Sequence, residues 1–196
     1  MLGVPQGQYS FRTEDGTSTL NLGSDAISMN TTAYTRWENF MSCFQPALQA
    51  LIDIYKPSFF QRVGLRYINT IQRSKIGIEN RNWSELFRTE ILGELALPQF
   101  ENNATEAKRN LRVTLPNESG CGLFLQHGFA KIGDSPEILY QLDFDFYTTE
   151  KTEVAHAKPT LDKLNSMVGR AFRWCITELL HESLEPTPIE LAATNG

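Results

Sequence analysis

Five charged side chains have types and spacing that could do chemistry: Arg62, Arg66, Arg112, Asp143 and Asp145. The segment "FFQRVGLRYINTI", residues 59–71, reads as a strand, because Val63, Leu65, Tyr67 and Ile71 recur at every second position. Side chains of a strand alternate between its two faces, so Arg62, Arg66 and Thr70 share the other one. The segment "ILYQLDFDFY" divides the same way, with Tyr140, Leu142, Phe144 and Phe146 on one face and Gln141, Asp143 and Asp145 on the other. In "NLRVTLP", Leu111, Val113 and Leu115 are apolar and Arg112 and Thr114 polar. Guanidinium forks bind carboxylates and phosphates with two parallel hydrogen bonds. Three readings follow: cross-strand ion pairs on a wet surface, a surface for an anion or a partner's carboxylates, or a metal held by Asp143 and Asp145. Carboxylates at i and i+2 stand about 7 Å apart along a strand, and neither a His nor a third acid lies at ligand spacing. No metal site is expected.

Other reactive residues give less. Cys121 and His127 share strand parity, but six residues of strand separate them by about 20 Å, too far for proton transfer. His127 recurs with Leu123, Leu125 and Phe129 and reads as a core or edge histidine. Asn69 is the polar exception on the apolar side of its strand, where a buried amide calls for a structural hydrogen bond. "HESLE" lacks the second histidine of a zinc-protease helix. "SGCGLF" runs into a strand and not a helix, so it is no phosphate cradle. GxSxG, P-loop and deaminase signatures are absent, and no cofactor is expected.

The elements that must position these residues follow from periodicity. Three short antiparallel strands open the chain, with a hairpin turn at Asp15-Gly16. A helix carries Trp37, Phe40, Met41, Phe44, Leu48, Leu51, Ile52 and Tyr55, with Thr35 and Glu38 as a capping box and Pro46 as a kink or break. The strand with Arg62 and Arg66 comes next, followed by a short helix beginning at Asn82 and Glu85. A polar loop, "QFENNATEAKRN", leads into three strands separated by turns at 116–120 and 133–136. The last helix starts near Thr160 and extends its stripe through Cys175 and Ile176 to Leu179. The fold class is α+β. A curved antiparallel sheet of about seven strands is expected, with amphipathic helices on one face. The element order also admits two β-α-βββ-α half-repeats, the first lacking its leading strand and helix. One domain over 1–184 and a tail over 185–196 are expected.

Bulk properties narrow the classes. The chain has 196 residues, 41% hydrophobic and 21% charged, which suits a folded globular protein. A net charge of −5 disfavours nucleic acid held through its phosphates. No segment reaches the length of a membrane span, and the N-terminus has neither a basic nor an apolar signal region. Three scattered cysteines suggest a reducing cytoplasm.

"RVGLRYINTI", "TTAYTRWENF" and "AFRWCITELL" together resemble a sporadically distributed bacterial family of uncharacterised proteins. The shared features are a Gly-Leu-Arg-Tyr-Ile-Asn strand, a Tyr-Thr-x-Trp helix start and a Phe-x-x-x-Ile-Thr helix. The resemblance covers most of the chain and implies a shared fold, but no activity. Relatives usually begin with an apolar strand and a helix that this chain is expected to lack, which would leave a sheet edge uncovered. The expected function is therefore a non-catalytic interaction subunit of a bacterial multi-protein system. It would bind a protein partner, or a second copy of itself, through the Arg/Asp face or that edge. The alternatives are a module for a small anionic ligand or nucleic acid on the same face, and an unfamiliar enzyme centred on Asp143 and Asp145.

Overall fold

A computed structural model describes residues 7–185, apart from 102, 116, 117, 119, 132, 134 and 135. The expected turns at 116–120 and 133–136 lie partly, and the expected tail at 185–196 almost wholly, outside the described residues. The chain is α+β and divides into two compact units, Met1–Ser58 and Phe59–Gly196.

In the first unit, β1 (Tyr9–Arg12), β2 (Ser18–Leu22) and β3 (Ile27–Thr31) form an antiparallel meander. The hairpin at Asp15 forms as expected. The Asp15 carboxylate accepts from the Thr13 hydroxyl at 2.6 Å and the Thr17 N–H at 3.0 Å, and these bonds hold its pKa below the ordinary range. Register places Tyr9, Leu22 and Ile27 in one row and Phe11, Leu20 and Met29 in the next, so one face of the meander is apolar. The helix α1 (Trp37–Tyr55) buries Met41, Phe44 and Leu48 at helical spacing and runs through Pro46 without being split. The Thr35–Glu38 capping box does not form: Arg36 is the N-cap, and the Thr35 hydroxyl instead accepts from the Asn39 amide at 3.0 Å.

The second unit holds two sheets. The strands β4 (Phe59–Phe60) and β9 (Thr152–Glu153) pair with each other. The strands β5 (Gly64–Ile71), β6 (Arg109–Thr114), β7 (Cys121–Ala130) and β8 (Leu139–Thr148) form an antiparallel sheet in the order β5-β8-β7-β6. The expected seven-stranded sheet is thus corrected to separate sheets of three, two and four strands. Alternation along each strand foretold its faces but carried no information about which distant strands would pair. Each larger sheet contains a three-strand meander followed by a 19-residue helix, α1 in one unit and α5 (Ala157–Cys175) in the other. Beside β8 the outer position is filled by β5, whereas no described strand pairs with the outer edge of β3.

Residues Leu65, Tyr67, Leu125, Leu142, Phe144 and Phe146 form the apolar face of the four-stranded sheet, and α5 packs on β5 and β8 with Leu161, Leu164, Met167 and Val168 buried. The Tyr67 hydroxyl donates to Asn165 Oδ1 at 2.9 Å, tying strand to helix. The bond expected of Asn69 is not made: its Nδ2 is buried and has no partner among the described residues. Leu111 also departs from expectation, being 51% exposed on the edge strand β6.

Short helices close one end of this core. The capping box at Asn82 and Glu85 forms and starts α2 (Trp83–Leu86). The expected single helix stops there because Phe87 leaves it to bridge Ile176, while α3 (Thr89–Leu92) follows separately. The same bridge ends α5 at Cys175, so the expected continuous stripe to Leu179 is broken into α5 and α6 (Glu178–Ser183). Thr177 caps α6 by accepting from the Leu180 N–H, and its hydroxyl donates to the Glu85 carbonyl at 2.7 Å. One further turn of helix, α4 (Pro98–Glu101), overlaps the start of the stretch expected as a polar loop. Trp83, Phe87, Phe129 and Tyr140 interlock, with ring centroids 4.2 Å apart for Phe87 and Tyr140.

Gly128 sits in β7 at φ +143, and a Cβ there would lie 1.9 Å from the Ala107 carbonyl oxygen. Gly77 also has positive φ, +68, but open space around it. Gly77→Ala should therefore cost about 1 kcal/mol, the backbone term alone. Gly128→Ala should cost roughly 3 kcal/mol or more, because backbone must also move. Urea unfolding of both variants measures the difference, and equal midpoints would contradict it.

Candidate functional site

The five charged residues singled out above lie in the second unit and on one face of the four-stranded sheet. Register aligns Arg66, Asp145, Phe124 and Arg112 across the strands β5, β8, β7 and β6. The next row is Ile68, Asp143, Gln126 and Asn110; the preceding row is Gly64, Tyr147, Gly122 and Thr114. Arg62 precedes β5, yet keeps the strand alternation because the ladder continues there. Val63 N–H donates to Thr148 Oγ1 at 3.0 Å, and the Val63 carbonyl accepts from Thr148 N–H at 2.9 Å.

The arginines do not bond straight across. Both lean along β5 toward its C-terminal end. Arg66 passes its register partner Asp145 and grips Asp143, Nε to Oδ1 at 2.8 Å and Nη2 to Oδ2 at 2.5 Å. Arg62 reaches Asp145, its Nη2 lying 2.8 Å from each carboxylate oxygen. The two pairs differ in burial. Asp143 has 9% of its side chain exposed, Asp145 has 27%, and both arginines are more than half exposed. The hydrogen bonds that Arg66 donates to the Asp143 carboxylate push the Arg66 pKa above its ordinary value.

Glycines lie beneath two of the side chains on this face. A Cβ on Gly64 would meet the Arg62 guanidinium at 2.5 Å, and one on Gly122 would meet the Tyr147 ring at 2.9 Å. Arg62 and Tyr147 therefore lie flat on the sheet. Tyr147 ends between two arginines: the Arg62 guanidinium stands 5.0 Å over its ring, and Arg112 Nη1 donates to its hydroxyl at 3.2 Å. Arg112 also stacks on Phe124 at 4.6 Å and has no carboxylate partner among the described residues. Sequence reading missed Phe124, Tyr147 and the two glycines. Their shared parity was available, but only the register reveals that they meet the arginines.

Beside these pairs is a groove of about 460 Å³, lined by Lys108, Gln126, Gln141, Asp143 and Lys131 among others. It was not foreseen, since Lys108 and Lys131 sit outside the strands that alternate.

His127 lies on the apolar face, as expected. Its Nδ1 is 2.9 Å from the Tyr140 hydroxyl. Burial, then the nearby Arg109 charge, lowers its pKa to about 4, and burial raises that of Tyr140. Arg109 donates to the carbonyls of Ile91 at 2.9 Å and Leu92 at 2.7 Å and forms an ion pair with Glu94. Cys175 is buried, and burial pushes its thiol up to about 12. Among the described residues no group of three or more His, Cys, Asp or Glu could hold a metal ion, and no helix is long and apolar enough to cross a membrane.

No family model, curated protein or solved structure matches this chain.

Two outcomes follow from this geometry. Arg66→Ala should destabilise the protein by roughly 2–3 kcal/mol, because it strands a buried carboxylate. Arg62→Ala should cost only about 0–1 kcal/mol, since its pair is exposed and solvent-screened. Chemical denaturation of the two variants checks the order; equal losses would show that burial of Asp143 is inconsequential. Secondly, the unfolded chain protonates His127 near its ordinary pKa of 6.5, whereas the folded chain resists until about 4. Stability should be unaffected by this group above pH 6.5 and fall progressively as pH drops from 6.5 to 4. His127→Gln should flatten that slope, and imidazole NMR signals of the native protein should show His127 neutral at pH 5.5.

Proposed function

We propose that the chain is a non-catalytic interaction subunit, of the bacterial family it resembles, which docks an acidic surface of a protein partner on the polar face of its four-stranded sheet. The observation that supports this most is Arg112. It has an aromatic platform, Phe124, beneath it and a hydroxyl, Tyr147, beside it, but no carboxylate partner among the described residues. From the opposite edge of the sheet, Arg62 and Arg66 add exposed guanidinia whose bonds to Asp145 and Asp143 leave further N–H groups unspent. Stacked, partly desolvated arginines are the groups that hold partner carboxylates most effectively. Asp143 and Asp145 serve here as positioning groups: each carboxylate orients one arginine, which favours binding over an enzymatic role. The unpaired outer edge of β3 would offer a second contact for a partner strand.

The test is copurification with the products of neighbouring genes, followed by titration of any retained protein. Arg112 makes no ion pair among the described residues, so Arg112→Glu should preserve the melting temperature while weakening binding about tenfold or more. Added salt should weaken wild-type binding in parallel. A monodisperse monomer that retains none of these proteins, or unchanged affinity in Arg112→Glu, would end the proposal.

A further inference from the structure

The groove beside Asp143 is built, and its lining selects a ligand class different from a protein surface. Its construction begins at Gly128, whose missing side chain lets the segment 105–108 press onto β7, with the Ala107 carbonyl where a Cβ would stand. Gly128 pairs with Gln141 in register, so this segment walls the polar face at the row next to Asp143 and Gln126. The floor is therefore Gln126, Gln141 and the buried Asp143, with Lys108 and Lys131 at the rim. The Gln141 carboxamide, both ammonium groups and the Glu106 carboxylate make no hydrogen bond or ion pair among the described residues. Asp143 is held by Arg66 through one lone pair on each oxygen, which leaves further acceptor capacity.

Two unpaired cations call for an anion. A carboxamide and two carboxylates beside them call for hydroxyl groups, which donate and accept in turn. A nucleobase is disfavoured, because both rings among the lining residues are committed to the opposite face. His127 bonds Tyr140, and Phe129 packs between Trp83 and Tyr140. A volume of about 460 Å³ is in the range of small-molecule sites. We propose that this groove binds a small polyhydroxylated phosphate ester of the sugar phosphate class, its phosphate on Lys108 and Lys131 and its hydroxyls on Gln141, Glu106 and Asp143. The site is independent of partner docking at Arg112.

Calorimetric titration of the full chain with ribose 5-phosphate, inorganic phosphate and ribose tests this. Ribose 5-phosphate should bind saturably, with a Kd of about 1 mM or tighter. Ribose and inorganic phosphate should each bind at least about tenfold more weakly, since each lacks half of the contacts. Amide NMR shifts should concentrate at 105–108, 126–131 and 141. The double variant Lys108→Ala, Lys131→Ala and the single variant Gln141→Leu should each weaken ester binding about tenfold at unchanged melting temperature. Arg112→Glu should leave it unchanged, which separates failure of this site from failure of the docking face. Absence of ester binding, phosphate binding as tightly as the ester, or indifference to both variants would overturn the assignment.

Discussion

Asp143 is a carboxylate in an inner strand of a four-stranded sheet with 7% of its surface exposed, and the fold tolerates it there because Arg66 closes a two-pronged grip from the adjacent strand. A buried carboxylate without a partner is among the costlier defects a small domain can carry. Arg66 itself is more than half exposed, so the pair is asymmetric: one end is fixed in the protein and the other faces water. That asymmetry orders an arginine at the surface without burying it. Asp145 does the same for Arg62 with a shallower anchor. On the polar face, Arg62 and Arg66 are thus each oriented by one carboxylate.

The opposite face follows a different rule. There, α5 covers β5 and β8, and the end of the sheet near Tyr140 is filled by Trp83, Phe87 and Phe129. Several polar groups that enter this core are bonded there, His127 to Tyr140, Tyr67 to Asn165 and Thr177 to the Glu85 carbonyl, whereas Asn69 Nδ2 has no partner among the described residues. Because His127 is held neutral at ordinary pH, it adds no charge to the interior. Strand alternation puts the Arg66–Asp143 and Arg62–Asp145 pairs on one face and the apolar side chains on the other, with Arg109 the charged exception beside His127.

Alternation was also the part of the structure most legible in the sequence. Every inward and outward assignment along "ILYQLDFDFY" is reproduced, and Arg62, Arg66, Arg112, Asp143 and Asp145 do share a face. What periodicity could not supply was pairing between distant segments. It offered no reason for β5 to join β8, for Phe59 and Phe60 to form a separate ladder with Thr152 and Glu153, or for Ile176 to leave a helix in favour of Phe87. Nor could it show that the arginines lean past their register partners. The Arg62 guanidinium lies over Gly64 and the Tyr147 ring over Gly122, two residues with no chemistry of their own.

The glycines therefore determine what the charged residues can do. With a side chain at 122, Tyr147 could not lie across β7, and Arg112 would lose its only hydrogen-bonding side chain among the described residues. With a side chain at 64, the Arg62 guanidinium would have to shift from its present path to Asp145. At 128 the same economy works on the backbone, since the bare Cα admits the 105–108 segment and creates the groove wall. Three empty positions on one sheet face thus separate two surfaces within one fold. One is a flat row of stacked arginines suited to a partner's carboxylates, and the other is a concave polar site suited to a small anion. They share a single residue, Asp143, whose guanidinium grip belongs to the first and whose remaining lone pairs belong to the second.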